Sequence, residues 1–224
     1  METLKTVVGV DISDKNLARV SRILETGKCD YANPVEFRLF EGCAITCNFE
    51  PLQKTTWDVV TCIEVIEHLP SIADATTAIS RVLNELTPKY LLVSTPNYDS
   101  NDVIKSLESR FYMDPSEAAQ AFQGRLASNG RALREEDHKF EFTRQEFRDW
   151  IDAVLALTGP QYRPEVTFIG NSLDERMGCG SCVEGATQVV VFELQSLRDY
   201  VPPVGCGRGP DLQLFQNVTI VKTA

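Results

Sequence analysis

Val7-Val8-Gly9-Val10-Asp11-Ile12 is a short apolar run that ends on an acid, and Leu17, Val20 and Leu24 then recur at helical spacing through Ser13 to Leu24. The pair reads as a strand followed by a helix. Val35 to Phe40 alternates as a strand and stops at Glu41-Gly42, while Trp57 to Ile63 is apolar enough to predict a buried strand. Ser71 to Leu86 predicts a helix with Ile72, Ala75, Ile79, Val82, Leu83 and Leu86 as its apolar positions and Thr87-Pro88 as its stop. Tyr90 to Ser94 predicts the next strand, halted by Thr95-Pro96-Asn97. Thr143 is placed to cap a helix over Arg144 to Leu157, with Glu146 at capping-box spacing and Phe147, Trp150, Ile151, Val154 and Leu155 on the apolar side. Glu165 to Ile169 and Gln188 to Leu194 predict two closing strands, paired antiparallel.

Strands that alternate with helices predict an α/β fold with parallel pairings, whose binding crevice lies outside the strands' carboxyl ends. Asp11, Gly42, Glu64 and Asn97 all fall at such ends. From Tyr98 to Asp137 the pattern weakens into polar helical stretches such as Pro115 to Leu126, which reads as an insertion or lid. Pro202-Pro203 and the stretch from Gly205 to Pro210 mark a linker, and Leu212 to Val221 is apolar enough to pack on a surface the pattern does not identify. One folded domain is therefore expected over residues 1–197, with 198–224 as a tail.

A chain of 224 residues, 43% hydrophobic, is long enough for one sizeable core. Its longest apolar runs are a few residues, far short of the ~20 that span a bilayer, and no basic-then-apolar signal opens the sequence. A cytoplasmic address is expected, with the nucleus as the alternative, and no membrane contact. Seven cysteines, an odd number, suit free thiols in a reducing compartment. Cys179-Gly180-Ser181-Cys182 has half the spacing of a zinc site, but no second pair stands nearby, so a glycine-rich turn is expected. The formal charge of -10 argues against a protein that tracks a nucleic-acid backbone, which needs a basic surface, yet is compatible with gripping one end.

The residues that carry chemistry are few. If the turn after Glu64 begins a helix, Glu64, Glu67 and His68 stand at i, i+3 and i+4 and share a face. Two carboxylates and an imidazole suit magnesium, manganese or a similar divalent ion. The plain alternative is an ordinary helix start, where acids favour the positive end of the dipole. His138, the only other histidine, would add a fourth protein ligand and leave about two octahedral positions open. Two adjacent hydroxyls, such as the vicinal diol of a 3′ RNA terminus, would fill them. Asp11 at a strand end suits the vicinal hydroxyls of a nucleoside ribose, with a turn or helix-cap role as the alternative.

Val8-Gly9-Val10-Asp11-Ile12, Asp58 through Leu69, Ser94-Thr95-Pro96-Asn97, and Asp137-His138-Lys139-Phe140-Glu141-Phe142-Thr143-Arg144 together resemble the consecutive motifs of the Hua-enhancer-type small-RNA 2′-O-methyltransferases. The resemblance covers residues 7 to 195. It implies a Rossmann-like class I methyltransferase sheet with an antiparallel last strand. It further implies S-adenosylmethionine as cofactor, and methylation of the 2′ hydroxyl at the 3′-terminal nucleotide of a small RNA. On that resemblance Glu64, Glu67, His68 and His138 ligate one magnesium or manganese ion, and Asp11 holds the cofactor ribose. Cys43 follows the glycine of a cofactor-contacting turn where the family commonly has serine. His68 and His138 become the candidate catalytic residues, His68 as a candidate base.

A single-stranded small-RNA 3′ end, presented by an Argonaute or Piwi protein, is the implied partner. The family's first strand and glycine-rich turn, expected before Val7, are missing from this sequence. The expectation is therefore a truncated chain that binds S-adenosylmethionine poorly by itself. Two competing readings stand beside the RNA methyltransferase: a small-molecule methyltransferase of the same fold, and a non-catalytic pseudoenzyme.

Overall fold

A computed structural model of the chain describes residues 4–26, 34–101, 127, 129–170 and 185–195, together with the backbone of 213–220. The helical stretch at Pro115 to Leu126, the Cys179–Cys182 turn and the linker at 202–210 lie outside the described residues. The chain divides into two compact units, Met1–Thr55 with Pro203–Ala224, and Thr56–Pro202.

In the first unit, β1 (Thr6–Asp11) and β2 (Val35–Glu41) pair in parallel, joined through α1 (Asp14–Glu25). Ser13 caps α1 with its hydroxyl, which accepts from the Asn16 N–H, so the helix starts soon after the acid-terminated strand. The periodic positions Leu17 and Leu24 are buried against Val35, Phe37 and Leu39 of β2, with Val7 of β1 packed on the same cluster. A Cβ at Gly9 would lie 3.0 Å from the end of the Leu39 side chain, so a larger residue there would require that side chain to shift by a few tenths of an ångström. The apolar segment from Leu212 to Val221, unplaced by its pattern, contains β7 (Gln213–Ile220), which pairs antiparallel with β2 and shifts register between Leu39 and Phe40. A short α2 (Glu50–Gln53) follows β2.

The second unit holds a four-stranded sheet in the order β3-β4-β6-β5, built from β3 (Val59–Ile63), β4 (Tyr90–Pro96), β5 (Tyr162–Ile169) and β6 (Thr187–Leu194). β3 and β4 are parallel, whereas β6 runs antiparallel to both β4 and β5. The expected antiparallel closing pair is thus present. β5 begins three residues earlier than its alternation suggests, because Pro164 breaks the apolar pattern but is tolerated on a strand at the sheet edge. β3 corrects the expectation of a buried strand. Among the described residues it pairs only with β4, and Val59 and Ile63 are exposed.

Helix α3 (Ile72–Arg81) connects β3 to β4, capped by the Ser71 hydroxyl accepting from the Asp74 N–H. Its last turn, Val82–Leu86, widens, and Thr87 takes a left-handed conformation before Pro88. The expected single helix to Leu86 is therefore an α-helix with a wide final turn that still buries Val82, Leu83 and Leu86. Helix α4 (Arg144–Thr158) has the predicted capping box, with Thr143 and Glu146 satisfying each other's backbone donors, an arrangement that contributes about 1 kcal/mol. Phe147, Trp150, Ile151 and Val154 are buried, and the Phe147 ring lies 5.6 Å from Trp150 and 6.1 Å from Phe142. Among the described residues no helix is long and apolar enough to cross a membrane.

Candidate active site

Glu64 comes directly after the last residue of β3 and has a left-handed backbone, φ +52°. A glutamate there is uncommon and costs about 1–3 kcal/mol, so it persists only where its surroundings enforce it. The surroundings are β4: Ser94 is in register with Ile63, and both its carbonyl and its hydroxyl accept from the Glu64 N–H at 3.1 Å. The same hydroxyl donates to Glu64 Oε1 at 2.7 Å. The left-handed residue turns the chain, so Glu64 is not the first residue of a helix. This corrects the shared-helix-face geometry expected from i, i+3, i+4 spacing.

Beyond Val65 the chain makes one 3₁₀ turn, Ile66–His68. It is short because Pro70 forces Leu69 into an extended conformation, ψ 151°. Ile66 is fully buried and anchors the turn. Glu67 beside it has 0% exposure, an unusual place for a carboxylate. The Thr95 hydroxyl donates to Glu67 Oε2 at 3.1 Å, whereas Oε1 has no hydrogen-bond partner among the described residues.

The segment bearing His138 docks on this turn through the Lys139 N–H, which donates to the Glu67 carbonyl at 2.8 Å. One ligand atom from each of Glu67, His68 and His138 then lies within 4.8 Å of the others. The imidazole rings meet edge to face, 4.9 Å apart at 78°, and His68 Nε2 stands 4.0 Å from the unpartnered Glu67 Oε1. Glu64 sits beside this trio without belonging to it, and its charge is felt by Glu67.

The electrostatics agree with the geometry. Burial pushes the Glu67 carboxyl up to about 7, with the Glu64 charge adding, against its backbone hydrogen bond, the Thr95 hydroxyl and His138. Burial works against protonation of His138, but the Glu141 hydrogen bond and charge outweigh it and hold that imidazole above the usual histidine range. Burial likewise opposes the Glu141 charge, yet hydrogen bonds from His138, Asn101 and the Arg134 N–H keep its carboxyl below the usual range. Cys62, pushed up to about 12 by burial and the Glu67 charge, is no thiolate nucleophile. One buried carboxylate faced by two imidazoles is a donor set that could hold a divalent cation.

Four further residues frame the cluster, and their roles are not signalled by spacing: Ser94 and Thr95 at the end of β4, Asp137, and Glu141. In the first unit, Asp11 closes β1, and Gly42 donates its N–H to the Asp11 carbonyl at 3.0 Å, which brings Cys43 to the same end of that sheet. The Asp11 carboxylate accepts from the Ser13 N–H at 2.7 Å and from Asn16 at 3.4 Å. A carboxylate has about four acceptor positions, so it keeps capacity for a ribose hydroxyl. Cys43 is a half-buried free thiol that opens a turn, its carbonyl accepting from the Thr46 and Cys47 N–H groups.

The model of the "Methyltransferase domain" family matches residues 2–168. The small RNA 2′-O-methyltransferase of Arabidopsis thaliana is 30% identical over 87% of this chain and 18% of its own length. That of Drosophila melanogaster is 29% identical over 86% of this chain and 43% of its own. The chain thus spans less than half of these relatives. Among solved structures, that of small RNA methyltransferase HEN1 superposes with a TM-score of 0.67 at 25% identity, covering 96% of this chain and 22% of that one. The methyltransferase domain of a bacterial Hen1 superposes with a TM-score of 0.54 at 27% identity, covering 86% of this chain and 78% of that one. The α/β order, the antiparallel β6 and the family match over residues 2–168 agree, and the chain belongs to the methyltransferase domain family, with the class I fold.

Proposed function

We propose that this chain provides the methyltransferase domain of a small-RNA 2′-O-methyltransferase that acts at the 3′-terminal nucleotide with the help of a divalent cation. The observation that carries the reading is the convergence of Glu67, His68 and His138 in a family whose relatives bear that name. S-adenosylmethionine, when bound, supplies a sulfonium methyl group that the 2′ oxygen takes with loss of its proton, and the cation supplies the charge that acidifies that hydroxyl.

The chain's residues do the rest. Glu67, His68 and His138 would hold the cation, with Glu64 beside them, its carboxylate accepting from the Ser94 hydroxyl. Asp11 receives the ribose hydroxyls of S-adenosylmethionine, and Cys43 borders that cofactor. His68, whose side chain is 38% exposed where that of His138 is 6%, is the histidine nearer to solvent and the proton acceptor of the pair whenever its Nε2 is disengaged. The acidic net charge suits a protein that grips a single-stranded RNA end while an Argonaute or Piwi protein holds the body, in the cytoplasm.

Methyl transfer from labelled S-adenosylmethionine to a short single-stranded RNA, with and without manganese, tests this. Manganese-dependent label is expected on a 3′ diol and none on a 3′ end lacking the 2′ hydroxyl, with a loss of roughly 1000-fold in His138→Ala. Equal labelling of both ends contradicts the reading, as does labelling that ignores manganese.

A further inference from the structure

Each histidine of the cluster has one ring nitrogen already committed. His138 Nδ1 lies 2.6 Å from Glu141 Oε1, and both side chains are nearly sealed from solvent, at 6% and 0% exposure. His68 Nδ1 lies 3.2 Å from Asp137 Oδ2, but that carboxylate is 73% exposed. A carboxylate facing Nδ1 selects the tautomer with its proton there and leaves Nε2 as the lone-pair donor.

Glu141 is itself fixed from two other directions. Its Oε1 also accepts from the Arg134 N–H at 2.6 Å, and Asn101 Nδ2 donates to its Oε2. Asn101 cannot reverse its amide without loss, because its Oδ1 accepts from Arg134 Nη2 at 3.3 Å. Arg134 is in turn anchored on the Ala186 carbonyl at 2.9 Å. Besides His138, the two hydrogen-bond partners of the Glu141 carboxylate among the described residues, the Arg134 N–H and Asn101 Nδ2, are donors, an arrangement that suits an acceptor-only group. The cluster thus has a rigid side, at His138, and an adjustable one, at His68.

We propose that Glu141 is a positioning residue that fixes His138 in the Nδ1–H tautomer and aims its Nε2 into the cluster, while Asp137 does the same more weakly for His68. The proposal rests on the divalent-cation reading above for its consequence, though not for the tautomer itself. Glutamine at 141 would set its NH₂ against a donor whichever way it turned, so the ring would lose both its orientation and the added basicity of a carboxylate partner.

The test uses the whole chain and manganese alone, by calorimetric titration. Glu141→Gln is expected to weaken manganese binding by about 10- to 100-fold. Asp137→Asn, at an exposed pair, should weaken it by less than about fivefold. Asn101→Ser removes a Glu141 neighbour without touching His138, and should lower thermal stability while leaving manganese affinity within about threefold. Manganese affinity unchanged in Glu141→Gln, or reduced as much in Asn101→Ser, would overturn the proposal.

Nitrogen-15 NMR of the metal-free wild-type protein at alkaline pH keeps the idea testable should Glu141→Gln fail to fold. The His138 ring is expected as the Nδ1–H tautomer, and an Nε2–H ring would overturn the assignment. Absence of manganese binding in wild type, with His138 still in the Nδ1–H form, would count against the metal reading and leave the positioning role standing.

Discussion

Replacing Glu67 with glutamine should abolish most methyl transfer and at the same time make the metal-free protein more stable. The two effects share one cause. Glu67 is fully buried, with Oε1 lacking a hydrogen-bond partner among the described residues and 4.0 Å from His68 Nε2, so without a cation its charge is only partly compensated. Its carboxyl titrates at about 7, above the ordinary glutamate value. A carboxyl with a raised folded-state pKa loses stability as pH rises from the ordinary value through about 7, and carries the whole penalty above it. The advantage of Glu67→Gln in chelator should therefore be small at about pH 5 and largest at about pH 8. Activity at saturating substrate should fall on the order of 1000-fold, since several kcal/mol of cation-derived stabilisation is lost and each ~1.4 kcal/mol is tenfold. Thermal melts at the two pH values check the first half, and labelled methyl transfer the second. A variant less stable than wild type at the higher pH would show that Glu67 is a structural acid.

Phe147→Ala should give the largest loss of stability of the substitutions considered. Phe147 is fully buried in α4, stacked on Trp150 and next to Phe142. Truncating such a ring leaves a cavity and costs about 3–5 kcal/mol. The damage reaches the cluster because Phe142 adjoins Glu141 and its backbone bridges to Asn97 at the end of β4. Its carbonyl also accepts from Tyr98 N–H at 2.9 Å and from the buried Gln188 side chain at 2.8 Å. Manganese affinity should therefore fall alongside stability. Denaturant unfolding checks the magnitude, and a loss below about 1 kcal/mol would mean that α4 is not part of this core.

Features written in local chemistry are legible in the sequence. The Thr143 cap, a short-range hydrogen bond between a hydroxyl and a backbone donor three residues on, forms as its motif suggests, while Ser13 and Ser71, expected as the first residues of their helices, turn out to cap them in the same way. The trio of Glu67, His68 and His138 is legible because both histidines sit in motifs with acids. Features decided by distant partners are not. β7 finds β2 from the far end of the chain, and Gln188 is a polar residue inside β6 because it bonds the Pro96 and Phe142 carbonyls. Spacing alone makes Glu64 look helical, whereas its left-handed backbone is imposed by Ser94, thirty residues away. Ser94, Thr95, Asp137 and Glu141 gain no individual role from spacing, since an outer residue is recognised only by the atom it holds. The Ser-Thr pair at a strand's carboxyl end, and the acids at positions −1 and +3 from His138, are the available signals.

In the proposed site two imidazoles and one buried carboxylate meet at a single ion. Electron spin-echo spectroscopy of the manganese-loaded chain reads that directly, through the coupling of imidazole nitrogens to the metal. Two coupled histidine nitrogens are expected in the wild-type chain, one in His138→Ala and one in His68→Ala. Manganese coupled to no nitrogen, or to the same number in all three proteins, would contradict the claim.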